Sequence, residues 1–311
     1  MRRPDGRDGQ RHLHVAAVTL RHSEDPTVNR RRLIEMTRSI LQDHPETRLV
    51  AFAELALGWY WHVDKKGLPF PESVRQSTEY HRRIAEPVPG PTTKAMGEVA
   101  RELGVFISYG FTEAESYRIF NSQALISPDG HVIDVRRKSR LITPMFSPGA
   151  NAVRCVDVDG ARVLTIICAD TRRLSTLLAI RRLRPDLIIH SILDREEKTT
   201  HEQLLAPFLR SWMVVPNRFG WEHPTGKRRP YSGMTCICSP HGRVAVGHVG
   251  SEYVLTYAIP IRRRPRAVYR PFLWLFSLLS FAARLLASVP AWLVQFVEHM
   301  RLDRGQRRAR L

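Results

Sequence analysis

Cysteine is scarce in this chain: Cys155, Cys168, Cys236 and Cys238 are all there are in 311 residues, spaced too unevenly for a disulfide framework. That excludes a small disulfide-stapled scaffold and points to a reducing compartment. No apolar stretch follows the arginines of the opening MRRPDGRDGQRH, so a cleaved secretory signal is not expected and residues 1–12 read as a disordered basic arm. No internal repeat or low-complexity segment breaks the body that follows. Acidic side chains are in deficit, 30 Asp and Glu against 48 Lys and Arg, for a net charge of +18. Eleven arginines in residues 261–311, opposed by Glu298 and Asp303, supply half of that excess. With 43% apolar and 25% charged residues the body is near the globular average. The charge therefore indicates an anionic partner for the tail, lipid headgroups or nucleic acid, and not a wholly nucleic-acid-binding fold.

What is present from His14 to Ile259 is an alternation of short β-branched apolar runs with longer amphipathic stretches, the rhythm of an α/β domain. LHVAAVTL (13–20) and RLVAFAEL (48–55) read as buried strands, and helical apolar spacing at Leu33, Ile34, Met36, Ile40 and Leu41 predicts a helix over 28–41. Pro91 and Gly104 bound a second helix, ahead of the strand VFISYGF (105–111). Hairpins are predicted at Pro128-Asp129-Gly130, at Asp159-Gly160 and at Pro240-His241-Gly242. DLIIHSIL (186–193) and WMVVPN (212–217) read as further buried strands.

Three chemistry-bearing residues fall at the ends of predicted strands: Glu54, Lys138 and Cys168. Ligand and catalytic residues of open α/β folds collect at such positions. A thiol nucleophile needs a base for its proton and a cation or N–H for the oxyanion that follows attack, so the three together form a complete set. Singly, each is more often a buried small hydrophobe, a rim charge or a solvated lysine.

In order, spacing and flanks the set resembles the nitrilase, or carbon-nitrogen hydrolase, superfamily over about residues 13–260. Glu54 stands in AELALGWY, Lys138 in VRRKSRL and Cys168 in ICADTRR, the places of the family's Glu, Lys and Cys segments. PVPGPTTKAMGEVARELGVFISYGFTE (87–113), IFNSQALISPDGHVI, VVPNRFG and YSGMTCICSPHG match further ordered segments. The resemblance implies an αββα sandwich forming four layers, here with a hydrophobic, basic-flanked helical tail. It also implies a cysteine-dependent hydrolysis of amide, carbamoyl or nitrile C–N bonds through a thioester. Glu54 would be the base, with Lys138 and the Ala169 N–H holding the oxyanion and no metal or organic cofactor. Homodimerisation through the segment around Ser175 to Arg184 is implied as well. Two alternatives stay open: an N-acyltransferase using the same triad, and a catalytically degenerate membrane-bound scaffold.

Departures from the family pattern bear on the pocket. Ala169 replaces an aromatic residue, Arg172-Arg173-Leu174-Ser175 replaces RFPE, Ala53 replaces Pro, and Trp59 replaces Gly. The loop LITPMFSPG (141–149) lacks the further acidic residue that many members carry, for which Glu113 is the nearest substitute. Tyr60, closing the Glu54 segment, is the other supporting candidate. Cys236-x-Cys238 with His241 resembles half a metal site, but strand geometry is expected to hold the thiols apart and the second pair of a closed zinc site is missing. His190 and His201 read as core or surface histidines. RRLRP (181–185) reads as a solvated loop, and GKRRP (226–230) falls where a rim loop could recruit an acidic substrate.

From Phe272 to His299 runs a 28-residue, mostly apolar stretch whose polar residues, Ser277, Ser280, Arg284, Ser288, Gln295 and Glu298, fall on one helical face. It exceeds the roughly 20 residues a bilayer crossing needs, yet Arg284 lies at its centre and Pro290 interrupts it. An interfacial helix on an anionic, cytoplasmic membrane face fits better than a span. A buried contact with a partner subunit is the alternative, and nucleic acid fits least because large apolar side chains dominate. The full chain is accordingly expected to float with anionic liposomes and to resist high-salt extraction, whereas a version ending near Ile261 stays soluble. Full-length protein that remains lipid-free and soluble without detergent would overturn that expectation.

Overall fold

The computed structural model describes residues 11–61, 69–150, 152–222 and 230–261. The opening ten residues, most of the GKRRP loop and the tail from 262 onward lie outside the described residues, and so does the interfacial-helix expectation. Among the described residues no helix is long and apolar enough to cross a membrane.

Two six-stranded sheets form the body. The first has the order β14 (Tyr253–Ile261), β1 (Arg11–Thr19), β2 (Leu49–Ala51), β3 (Phe106–Glu115), β4 (Arg118–Ile126) and β5 (Val132–Arg137). The second has the order β13 (Val244–His248), β12 (Thr235–Cys238), β9 (Trp212–Val215), β8 (Leu187–Ser191), β7 (Ala161–Ile167) and β6 (Val156–Val158). Each sheet has a parallel centre, β1–β2–β3 in one and β7–β8–β9 in the other, flanked by antiparallel strands. A small ribbon of β10 (Phe219–Gly220) and β11 (Tyr231–Ser232) stands apart.

The inner faces of the sheets meet. Leu13, Val15, Ala17, Leu49 and Ala51 of the first pack with Val163, Leu187, Ile189, Val214 and Ile237 of the second. The intervening residues Ala16, Val18, Val50 and Ile107 face outward under α1 (Pro26–Asp43) and α3 (Pro91–Leu103). Because both faces of the central strands are covered, they read as continuous apolar runs without polar alternation. On the far side, α4 (Leu174–Leu183) and α5 (Thr200–Leu209) cover the second sheet. The result is the four-layer αββα order expected from the sequence.

Local chemistry explains the boundaries. The Asp25 carboxylate accepts from the Thr27 N–H at the start of α1, with Pro26 in the first turn. Gly104 ends α3 at φ +68°, a left-handed position that glycine takes without a Cβ penalty.

Several elements differ from the sequence expectation. The strand at the chain start begins at Arg11, two residues inside the segment read as an arm, because the whole of β1 pairs with β14. β2 is three residues long instead of eight, and the chain leaves the sheet before Glu54. A helix over Phe70–Ile84, α2, has only a sparse apolar face: Val74, Tyr80 and Ile84 share its inward side with Ser73, Ser77 and His81. α5 went unread as well, being ten residues long with Pro207 inside. A β3–β4 turn at Ser116-Tyr117 also lacks glycine or proline, and Ser116 takes φ +55° itself.

Leu187, fully buried between the sheets, tests that packing. Leu187→Ala should cost about 2–5 kcal/mol in urea denaturation, whereas Tyr117→Ala, at 85% exposed, should stay within about 0.5 kcal/mol of wild type.

Candidate active site

Three strand ends converge on one rim. Beyond β2 the chain turns, with Leu55 at φ +50°, and crosses β3 at Gly110, where a Cβ would lie 2.7 Å from the Ala53 carbonyl oxygen. A side chain at 110 would push out the turn that carries Glu54. Lys138 follows β5 directly, its N–H bonded to Asn121 O at 2.8 Å and its carbonyl to Gly149 N at 2.9 Å. Cys168 follows β7 as the first residue of a single 3-10 turn, Cys168–Arg172, at φ +41°.

Glu54 is 1% exposed and Lys138 4%. The Lys138 ammonium donates to Glu54 Oε1 at 2.6 Å, and the Asn121 amide donates to the same oxygen at 2.6 Å. Glu54 Oε2 is buried with no hydrogen-bond partner among the described residues. Tyr60 lies in the same charge environment as Lys138, Glu54 and Cys168, its hydroxyl 2.9 Å from Thr143 Oγ1.

Electrostatics separates the roles. Burial pushes the Cys168 thiol up to about 12; Lys138 opposes this, Glu54 and Asp194 add to it, and the Leu193 N–H eases it. At neutral pH the thiol therefore keeps its proton. Burial disfavours the Lys138 ammonium, but the acidic groups of Cys168 and Glu54 override it and raise its pKa. Lys138 stays cationic. Burial likewise raises the Tyr60 phenol to about 12, so it remains a neutral hydroxyl.

Residues that the sequence reading passed over hold this arrangement. Asp170 is fully buried: its Oδ1 accepts from Ser139 N, Ser139 Oγ and Arg140 N at 2.9 Å each, and its Oδ2 from Arg136 at 3.1 Å. One carboxylate thus ties the Cys168 turn to the segment that carries Lys138. Arg218 donates to Leu55 O and Gly58 O at 2.6 Å and to Glu222 at 2.5 Å, and Glu222 accepts the Tyr60 N–H at 2.5 Å. That pair braces the Glu54 turn. Asn121, Asp170 and Arg218 fall inside segments that resemble family motifs (IFNSQ, ICAD, VVPNR) and could have been read there; Glu222 carries no such signal.

Other candidates lie elsewhere. Glu113 is bound by the Arg137 guanidinium, including an Nε contact of 2.8 Å, and by the Ser122 hydroxyl at 2.6 Å. Cys236 and Cys238 correct the expectation that their thiols stand apart: residues i and i+2 share a strand face, and the sulfurs are 3.7 Å from each other. Among the described residues no group of three or more His, Cys, Asp or Glu could hold a metal ion. His190 is buried on β8 and contacts the Cys168 carbonyl.

The sequence profile described as Carbon-nitrogen hydrolase matches residues 14–264, which take in both sheets apart from the first three residues of β1. The chain belongs to the carbon-nitrogen hydrolase family. Among characterised carbon-nitrogen hydrolases it is 29% identical over 183 residues to a cyanide hydratase of Stereum hirsutum, covering 57% of this chain and 43% of that protein. It is also 29% identical over 109 residues to an (R)-stereoselective amidase of Pseudomonas sp., covering 34% of this chain and 39% of that protein. The chain thus spans less than half the length of these curated relatives.

Solved structures agree in fold. A nitrilase-superfamily protein of Saccharomyces cerevisiae superposes with a TM-score of 0.65 at 18% identity, over 80% of this chain and 90% of that one. An amidase of Nesterenkonia sp. gives 0.63 at 14%, over 81% and 91%; that structure carries covalent addition of the acetamide moiety of fluoroacetamide at its active-site cysteine.

Behind the Cys168 turn of this carbon-nitrogen hydrolase lie groups of opposed acid-base character. Burial pushes Glu202 up to about 7, and lowers His190 to about 3 and His201 to about 4. Between its ordinary 4.5 and about 7, folded Glu202 holds a proton that the unfolded chain releases, so its stabilisation is lost as pH rises. The histidines act in the opposite sense, because below 6.5 the unfolded chain takes up protons that the fold refuses. Glu202→Gln deletes the first contribution alone. Relative to wild type it should gain up to about 1.4 kcal/mol per pH unit across the Glu202 window as pH rises, measured by urea denaturation. A constant difference would contradict this assignment.

Proposed function

We propose that the chain is a cysteine-dependent hydrolase of small-molecule C–N bonds, an amidase or carbamoylase with nitriles as the related class, acting through a thioester. The observation that carries this reading is the buried ion pair of Lys138 and Glu54 on the rim that also bears Cys168. In the proposed step the Cys168 sulfur attacks the carbonyl carbon while its proton passes to Glu54. The oxyanion sits between the Lys138 ammonium and the Ala169 N–H; N–H groups that open a helical turn have no partner within it. Collapse expels the amine, which takes the proton from Glu54. Water, deprotonated by Glu54, then attacks the thioester; the acid leaves and the thiol regains its proton. The fixed cation suits an oxygen that gains charge only in the transition state, which is the useful kind of stabilisation.

The acetamide adduct on the Nesterenkonia amidase cysteine supports the choice of Cys168 as nucleophile. Retention of all three groups in one charged cluster weighs against a degenerate scaffold. Pairing of two copies through α4, where Leu174 is 49% exposed, belongs to the same proposal.

Intact-mass measurement with a panel of amides, carbamoyl amines and nitriles, with ammonia detection, tests the reading. Cys168→Ala and Cys168→Ser should abolish turnover without unfolding the protein. Lys138→Ala should lose about 10²–10³-fold in rate. Glu54→Gln should accumulate an acyl adduct that is absent when Cys168 is also replaced. Turnover by Cys168→Ala at the wild-type rate would refute the mechanism. Transfer of the acyl group to an added amine in preference to water would make the protein an N-acyltransferase.

A further inference from the structure

The peptide unit between Cys168 and Ala169 is held from behind. Its carbonyl oxygen, on Cys168, accepts from His190 Nε2 at 3.2 Å and from the Thr171 hydroxyl at 3.0 Å. Thr171 Oγ1 is itself 3.0 Å from His201 Nε2. Since Thr171 spends its hydrogen on the carbonyl, His201 is the donor in that contact. Two histidines from different elements, β8 and α5, thus converge on one oxygen.

A trans peptide is planar, with its C=O and N–H pointing in opposite directions. Fixing the Cys168 oxygen on the histidine side therefore fixes the Ala169 N–H on the other. Cys168 itself sits at φ +41°, a conformation that costs a non-glycine residue roughly 1–3 kcal/mol and persists only where surrounding contacts hold the turn. We propose that His190, together with the His201–Thr171 pair, is a positioning device that clamps the Cys168 carbonyl and so aims the Ala169 N–H at the oxyanion. The inference rests on the hydrolase reading above.

Glu202 makes the clamp sensitive to pH. Donation from Nε2 leaves His190 Nδ1 as a lone pair, buried without a hydrogen-bond partner among the described residues and 3.8 Å from Glu202 Oε1. A protonated Glu202 favours this tautomer; an ionised one favours a hydrogen on Nδ1, which would turn a lone pair toward the Cys168 oxygen. Burial places the Glu202 transition at about 7. The other groups bearing on the pair are His201 on α5, Cys168, Asp170 and Arg172 on the turn, Lys138 beyond β5, Asp194 beyond β8 and Cys236 on β12.

Two reagents separate positioning from mere integrity. p-Nitrophenyl acetate acylates a thiol through an oxyanion: an S–C bond forms, nitrophenolate leaves and the thiol proton goes to Glu54. Iodoacetamide alkylates the same sulfur by displacing iodide from a saturated carbon, with no oxyanion. Both adducts are read on the Cys168 peptide of the full chain by mass spectrometry. His190→Leu and Thr171→Val should slow acetylation about 10-fold or more while alkylation stays within about twofold of wild type. His190→Gln, whose amide nitrogen reaches the place of Nε2, should recover most of the loss. The wild-type ratio of acetylation to alkylation should fall as pH rises past about 7, and that of Glu202→Gln should not. Undiminished acetylation in His190→Leu, an equal loss in both reactions, or a Glu202→Gln ratio that tracks wild type would overturn the proposal. Wild-type Cys168 that alkylates but never acetylates would instead sink the hydrolase reading, and this inference with it.

Discussion

The buried contact between Lys138 and Glu54 is the constraint around which the molecule is arranged. Two charges taken out of water cost several kcal/mol each, and their attraction offsets that only when geometry is tight and spare lone pairs and protons are matched. Here the 2.6 Å contact is shared with the Asn121 amide, and the Lys138 backbone is pinned on both sides. Removing either partner would strand a charge. The sheet accordingly ends β2 early and places a glycine in β3, so that a carboxylate and an ammonium from strands 84 residues apart in sequence meet at one point.

Around that pair the supporting groups form two separate braces. Asp170 locks the Cys168 turn to the segment of Lys138, and Arg218 with Glu222 locks the Glu54 turn to the loop beyond β9. Each brace uses a buried ionic group with at least two hydrogen bonds to backbone, which fixes chain paths and not just side chains.

How much of this could be read from residues follows physical lines. Strands β1, β7, β8 and β9 announced themselves because burial on both faces demands unbroken apolar runs, and the triad did because its members sit at strand ends in a recognisable order. α2 is hard to read because Ser73, Ser77 and His81 are buried beside Val74, Tyr80 and Ile84, which dilutes its period-3.6 apolarity with polar residues. β2 was overextended because Phe52 and Ala53 are as apolar as a strand requires, although a turn carries them. His190 reads only as a core or surface histidine and Glu202 carries no sequence signal; only three-dimensional proximity brings them together behind the Cys168 carbonyl. The two thiols of β12 misled through parity, a one-residue matter that pleating decides.

The pairing of β1 with β14 joins Arg11–Thr19 to Tyr253–Ile261 along the full length of both strands. Contacts between such distant stretches incur a large loop-closure entropy and slow folding relative to local ones. During synthesis the first sheet cannot close until its last strand has emerged, so β1 spends most of translation as an apolar edge without its neighbour. The second sheet, made of strands between 156 and 248, is complete earlier. β1 to β5 emerge before any strand of the second sheet, so closure of β1 by β14 is expected to be a late step of assembly, leaving the nascent chain dependent on whatever shields β1 in the meantime.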